Sequence, residues 1–191
     1  MEDGSFAALD AAVDRAVQEQ GPLDGIVNCA GSLLLKPAHR TTEDEWRDTL
    51  TANLDTAFAT VRAGARVMMK TGGSIVLLSS AAARIGLANH EAIAAAKAGV
   101  VGLALSASAS YAPRGIRVNV VAPGLVRTGL TADLLRSEPS EKASVAMHAM
   151  GRIGEASDVA RAITWLLDPD QSWVTGQVLG VDGGLATVRA R

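Results

Sequence analysis

Ser74-Ile75-Val76-Leu77-Leu78, running into Ser79-Ser80, is the stretch on which the fold turns. A strand with one wet face alternates apolar and polar residues, whereas a parallel strand covered on both faces is apolar throughout. This run is of the second kind. Ile116-Arg117-Val118-Asn119-Val120-Val121-Ala122, ending at Pro123-Gly124, reads as the next strand. Two shorter runs complete the set: Gly25-Ile26-Val27-Asn28 before Cys29-Ala30-Gly31, and Gln177-Val178-Leu179-Gly180-Val181 before Asp182-Gly183-Gly184.

Helical patterns separate these strands. Phe6, Leu9, Val13 and Val17 recur at helical spacing, and Gly21-Pro22 stops the helix. Thr42 with Glu45 three residues on forms a capping-box signature, and Trp46, Leu50, Leu54, Phe58, Val61 and Met68 mark one stripe of a long helix ending near Gly72-Gly73. A third helix runs from about Asn89 to Tyr111, and a fourth is capped by Ser157 and continues through Val159, Ile163, Leu166 and Leu167. Residues 128–154 are polar and Met-containing, with two weak helical patches, and are expected to form a lid. Alternating strands and helices predict an α/β fold, a doubly wound, Rossmann-like parallel sheet of about four strands, as a single domain over residues 1–191. Ligands then gather at the carboxyl ends of the strands.

Composition narrows the function. Of 191 residues, 48% are apolar and 20% charged, which suits a packed core. A net charge of −2 gives no electrostatic footprint for nucleic acid or an anionic membrane. The longest uncharged stretch, residues 98–113, is shorter than a bilayer span. Cys29 is the single cysteine, so no intrachain disulfide forms and a reducing, cytoplasmic setting is expected. The acidic start, Met1-Glu2-Asp3-Gly4, lacks the basic and apolar regions of a secretory signal. His39, His90 and His148 are scattered without ligand spacing, so no metal site is expected.

The strand ends carry one ordered pattern: Asn28-Cys29-Ala30-Gly31, Asn53 within the long helix, Ser80, Lys97, Pro123-Gly124 with Val126 and Thr128, and Val181-Asp182-Gly183-Gly184. Together they resemble the short-chain dehydrogenase/reductase family across essentially the whole chain. The resemblance implies NAD or NADP as cofactor and hydride transfer between an alcohol and a carbonyl. By position, Asn28, Ala30, Gly31, Lys97, Pro123, Gly124, Val126 and Thr128 would bind the cofactor. Ser80 would hold the substrate oxygen, Lys97 the nicotinamide ribose, and Asn53 a water of the proton relay. Each fragment also has a plain structural reading: Ser80 as a helix cap, Asn28 to Gly31 as a tight turn, Pro123-Gly124 as turn chemistry.

Two departures stand out. The family's tyrosine, four residues before the lysine and thirteen after the serine, is Ile93 here, which has no ionisable proton. Tyr111, the one tyrosine of the chain, lies about 21 Å along the helix from Lys97. His90, about 10 Å before Lys97 on roughly the same face, is the candidate substitute acid, with a capping role as the alternative. The second departure is the absence of any G-x-x-x-G-x-G turn. Relative to the family, the chain is expected to be truncated by roughly 60 residues at its start, leaving the strand at Gly25 as an exposed edge that favours association. Gly99 and Gly102 suit either an oligomer contact or intrachain packing. Met147, His148 and Met150 suit either a substrate pocket or core filling. Two functional readings follow: an NAD(P)-linked oxidoreductase acting on a small alcohol or carbonyl, or a non-catalytic subunit of a homo- or hetero-oligomer.

Overall fold

A computed structural model describes residues 6–189; the acidic start at residues 1–4 lies outside them. Four parallel strands, β1 (Gly25–Asn28), β2 (Gly73–Leu78), β3 (Ile116–Pro123) and β6 (Val178–Val181), form one sheet in that spatial order. Ile26 pairs with Ile75, Val76 with Asn119, and Val121 with Leu179. A second, two-stranded ribbon joins β4 (Val126–Arg127) to β5 (Gly154–Glu155). β1 has no outer partner among the described residues.

Both faces of the sheet are covered, as the unbroken apolar run of β2 requires. Ile75 and Leu77, with Ile116, Val118 and Val120, face α3 (Thr56–Met68) and α4 (Glu91–Tyr111). Val76 and Val121 face α6 (Ala156–Leu167) through Val159 and Leu166. Each of these side chains is almost fully buried, worth about 1.5–3 kcal/mol apiece relative to exposure. Arg117, on the α6 side of β3, donates to the carbonyls of Leu166 at 2.8 Å and Asp168 at 3.1 Å, capping the end of α6.

The long helix read from Thr42 is three pieces. The capping box at α2 (Glu43–Leu50) is present: Thr42 Oγ1 accepts from the Glu45 amide at 3.2 Å, and Glu45 accepts from the Thr42 amide at 2.8 Å. Residues Thr51–Asp55 form a wider π turn before α3. α3 stops where Gly72 takes φ 73°, a left-handed conformation that glycine adopts without strain. α1 (Phe6–Gln20) docks on α3 through Phe6 against Phe58, with ring centroids 5.5 Å apart, and through the Arg62–Asp10 and Arg66–Asp14 ion pairs.

The expected lid holds one α-helix, α5 (Glu138–Met147), and a single 3-10 turn at Gly129–Thr131. Gly99 packs inside the chain, where an added Cβ would lie 2.9 Å from Leu54, while Gly102 meets open space. By length and composition Glu91–Arg114 would suffice to cross a membrane. In this fold it is the core helix against β3, and it carries the buried Lys97.

Candidate active site

Parallel strands that all point one way bring their carboxyl ends together, and a cavity of about 640 Å³ opens there. The turn after β1 supplies Cys29, Ala30 and Gly31; the turn after β2 supplies Ser80; α4 supplies Ile93 and Lys97. Pro123, Gly124 and Leu125 close the side beyond β3, and Leu130, Leu134 and Met147 cover it from the lid.

Lys97 is 8% exposed. Its Nζ donates to the Leu78 carbonyl at 2.9 Å, and two of its three N–H donors have no protein acceptor among the described residues. Burial lowers its pKa to about 8, with the nearby Cys29 opposing the shift. Partial desolvation pushes the Cys29 thiol up, against the pull of Lys97. Ser79, to which the sequence assigned no role, anchors α4 at this point by donating from Oγ to the Lys97 carbonyl at 2.7 Å.

Ser80 caps the turn at Ala81–Ala83, accepting from the Ala82 amide at 3.1 Å, and also lines the cavity. The cap reading therefore holds, and the same side chain faces the cavity. Accepting that bond leaves its own O–H without a protein acceptor among the described residues. Asn53 is buried in the π turn; its Oδ1 accepts from the Ser32 amide at 3.2 Å, and its Nδ2 donates to Ser32 Oγ and to the Thr49 carbonyl. Gly31 has room for hydrogen only, since a Cβ would sit 2.8 Å from Asn53 Oδ1 and 3.5 Å from Lys97 Nζ.

Other candidates fall farther out. Asn28 is tied into the turn, donating to Thr60 Oγ1 at 2.9 Å and accepting from the Ala30 amide at 2.9 Å, beside a separate groove against α1. Val126 lines a neighbouring cavity of about 580 Å³, and exposed Thr128 lines neither large cavity. Neither shares the wall that holds Lys97, because β4 turns away to pair with β5. His90 lines the cavity at the start of α4, its Nδ1 2.8 Å from the Ala88 carbonyl. Ile93, 4% exposed, lines the wall one turn before Lys97. Met147 and His148 line the cavity, whereas Met150 belongs to the neighbouring one. No cluster of three metal-ligating side chains occurs among the described residues.

Comparison with known proteins identifies the family and matches the fold. The family model described as enoyl-(acyl carrier protein) reductase matches residues 4–186. The chain is 36% identical over 183 residues to the 3-oxoacyl-[acyl-carrier-protein] reductase FabG of Salmonella typhimurium, covering 95% of this chain and 74% of that one. It is 37% identical over 179 residues to the trans-4-hydroxycyclohexanecarboxylate dehydrogenase of Sinomonas cyclohexanicum, covering 94% and 66%. Among solved structures, a short-chain type dehydrogenase/reductase from Mycobacterium ulcerans superposes with a TM-score of 0.92 at 33% identity, covering 97% and 68%. ElxO with NADP bound superposes at 0.91 and 28% identity, covering 96% and 75%. The chain belongs to the short-chain dehydrogenase/reductase family of NAD(P)-linked oxidoreductases.

Proposed function

We propose that the 640 Å³ cavity takes the nicotinamide-ribose end of NAD or NADP together with a small alcohol or carbonyl substrate. The observation that carries this reading is the pairing of two unspent donors on one wall: the buried Lys97 ammonium and the Ser80 hydroxyl. The residues present fit that end of the cofactor. Lys97 has two N–H donors for the ribose hydroxyls, and Gly31, which has no side chain, leaves the backbone beside Lys97 bare for the ring's approach. The bound dinucleotide supplies or accepts the hydride at the substrate carbon. Ser80 holds the substrate oxygen by donating to it. Asn53 keeps the Ser32 backbone, and with it the cofactor turn, in place. Ile93 cannot deliver the proton that the oxygen takes up, so it comes from water or from His90, whose Nε2 has no partner among the described residues.

In this reading residues 1–191 belong to a single domain, and the protein works in the cytoplasm as a homo- or hetero-oligomer. Titrating it with NADH and NADPH while following nicotinamide fluorescence tests the proposal: saturable binding that Lys97→Ala weakens at least tenfold supports it, and no binding overturns it. A second reading, a non-catalytic subunit in an oligomer, is favoured by Ile93, which has no ionisable proton, and by the absence of a G-x-x-x-G-x-G turn from this sequence. It predicts nucleotide binding or partner binding without turnover on any ketone or alcohol offered.

A further inference from the structure

We infer that His148 is a positioning residue that locks the Pro123-Gly124-Leu125 turn to the covering helix α5. This deepens the cofactor reading above and rests on it, because the turn forms one wall of the proposed nicotinamide site.

His148 directly follows α5 and is 3% exposed. Its Nδ1 lies 2.7 Å from the Ser144 carbonyl, and its Nε2 lies 3.1 Å from the Leu125 amide nitrogen. A carbonyl can only accept and an amide N–H can only donate, so the ring must carry its proton on Nδ1 and none on Nε2. One neutral tautomer satisfies both contacts. A doubly protonated ring, or the other tautomer, would set N–H against N–H at Leu125.

The close fit of the turn points the same way. A Cβ on Gly124 would lie 2.7 Å from His148 Nε2 and 3.0 Å from the backbone of Asp182, so the turn reaches the ring only because residue 124 has no side chain. The Gly124 amide donates to the Val181 carbonyl, and the Met150 amide donates to the Gly183 carbonyl at 3.0 Å. Three segments, at 123–125, 148–150 and 181–184, are therefore clasped around one imidazole. The ring, with Gly124 and Leu125, lines both the 640 Å³ cavity and its 580 Å³ neighbour, so it forms part of the partition between them. Burial obliges both ring nitrogens to find partners, and because those partners lie on two different segments, satisfying them ties the turn to the helix.

Two variants of the full chain test this. His148→Leu keeps approximate volume and removes the acceptor, while His148→Gln keeps an acceptor at a similar reach. We expect His148→Leu to speed hydrogen exchange at the Leu125 amide and weaken NADH or NADPH binding, each about tenfold, and His148→Gln to restore both to within about threefold. Nitrogen NMR of the wild-type ring should show the Nδ1–H form. Unchanged Leu125 exchange and unchanged binding in a folded His148→Leu variant overturn the inference, and so does an Nε2–H ring in the wild type. If His148→Leu does not fold, the wild-type tautomer and the Gln variant decide. Wild-type protein that binds neither dinucleotide sinks the proposed function alone, since exchange at Leu125 and the ring tautomer are read without ligand.

Discussion

The Lys97 ammonium donates 2.9 Å to the carbonyl of Leu78, the last residue of the strand whose continuous apolar run marks the sheet. Helix α4 and strand β2 thus meet at one buried cation, and its depressed pKa makes two opposite pH responses measurable.

Dinucleotide affinity should fall as pH rises through about 8, because that is where Lys97 loses its charge in the folded protein. Stability should move the other way. The unfolded chain binds the proton up to the ordinary lysine value of 10.5, so between about 8 and 10.5 it carries more protons than the folded chain, and unfolding becomes less favourable as pH rises. The gain is at most about 3 kcal/mol. Melting curves and fluorescence titrations across this window check both signs, each against Lys97→Met, which should flatten them.

Ile93→Tyr should create or raise carbonyl reduction. It places a phenol one turn before Lys97, on the wall it shares with Ser80, where a positioned acid contributes about 10²–10⁴-fold. Because Ile93 is buried, the larger ring should cost about 1–3 kcal/mol. Oxidation of NADPH with a panel of small ketones measures the gain; a folded variant that binds NADPH and shows none counts against the assignment of this wall.

Gly31→Ala should weaken dinucleotide binding while leaving the melting temperature within a few degrees. The new methyl would meet Asn53 Oδ1 at 2.8 Å and must displace the turn, which lies at the cavity's exposed mouth. A binding curve identical to wild type would remove Gly31 from the site.

Arg117→Leu should destabilise the fold by about 2–3 kcal/mol, lowering the melting temperature by roughly 4–12 °C, since it strips the carbonyls at the end of α6 of their donor. Leu166 keeps one partner, the Ser74 hydroxyl at 2.9 Å, which limits the loss. Thermal unfolding decides, and nucleotide affinity should stay the same.

The layered architecture was legible wherever one physical cause acts over several residues. Ile75 to Leu78 are apolar in succession because helices cover both faces, and Thr42 with Glu45 announces a helix start through a local hydrogen-bond pair. Ser80, Lys97 and Gly31 were placed by their positions in an ordered motif, and they do share one cavity. Less local features left no trace. β4 and β5 are two residues each, too short to show a period. Val126 and Thr128 were expected at the cofactor and lie off the cavity wall that holds Lys97, because that ribbon redirects the chain. His148 reaches Leu125 across 23 positions, a contact that only folding creates, and a lone histidine in a polar stretch gives no hint of it. The widened turn at Asn53 is likewise invisible, since its residues suit an ordinary helix equally well.

That widened turn sets the angular phase of everything after it. Each residue in a regular helix advances the chain by about 100°, so the extra residue at Thr51–Asp55 rotates α3 relative to α2 by about that amount. It allows Asn53 to look toward the Ser32 turn while Val61, Ala65 and Met68 still look toward the sheet. Removing one residue there would leave a continuous rod whose two ends could not both face their targets, trading either the anchor of the cofactor turn or the hydrophobic seat of the sheet.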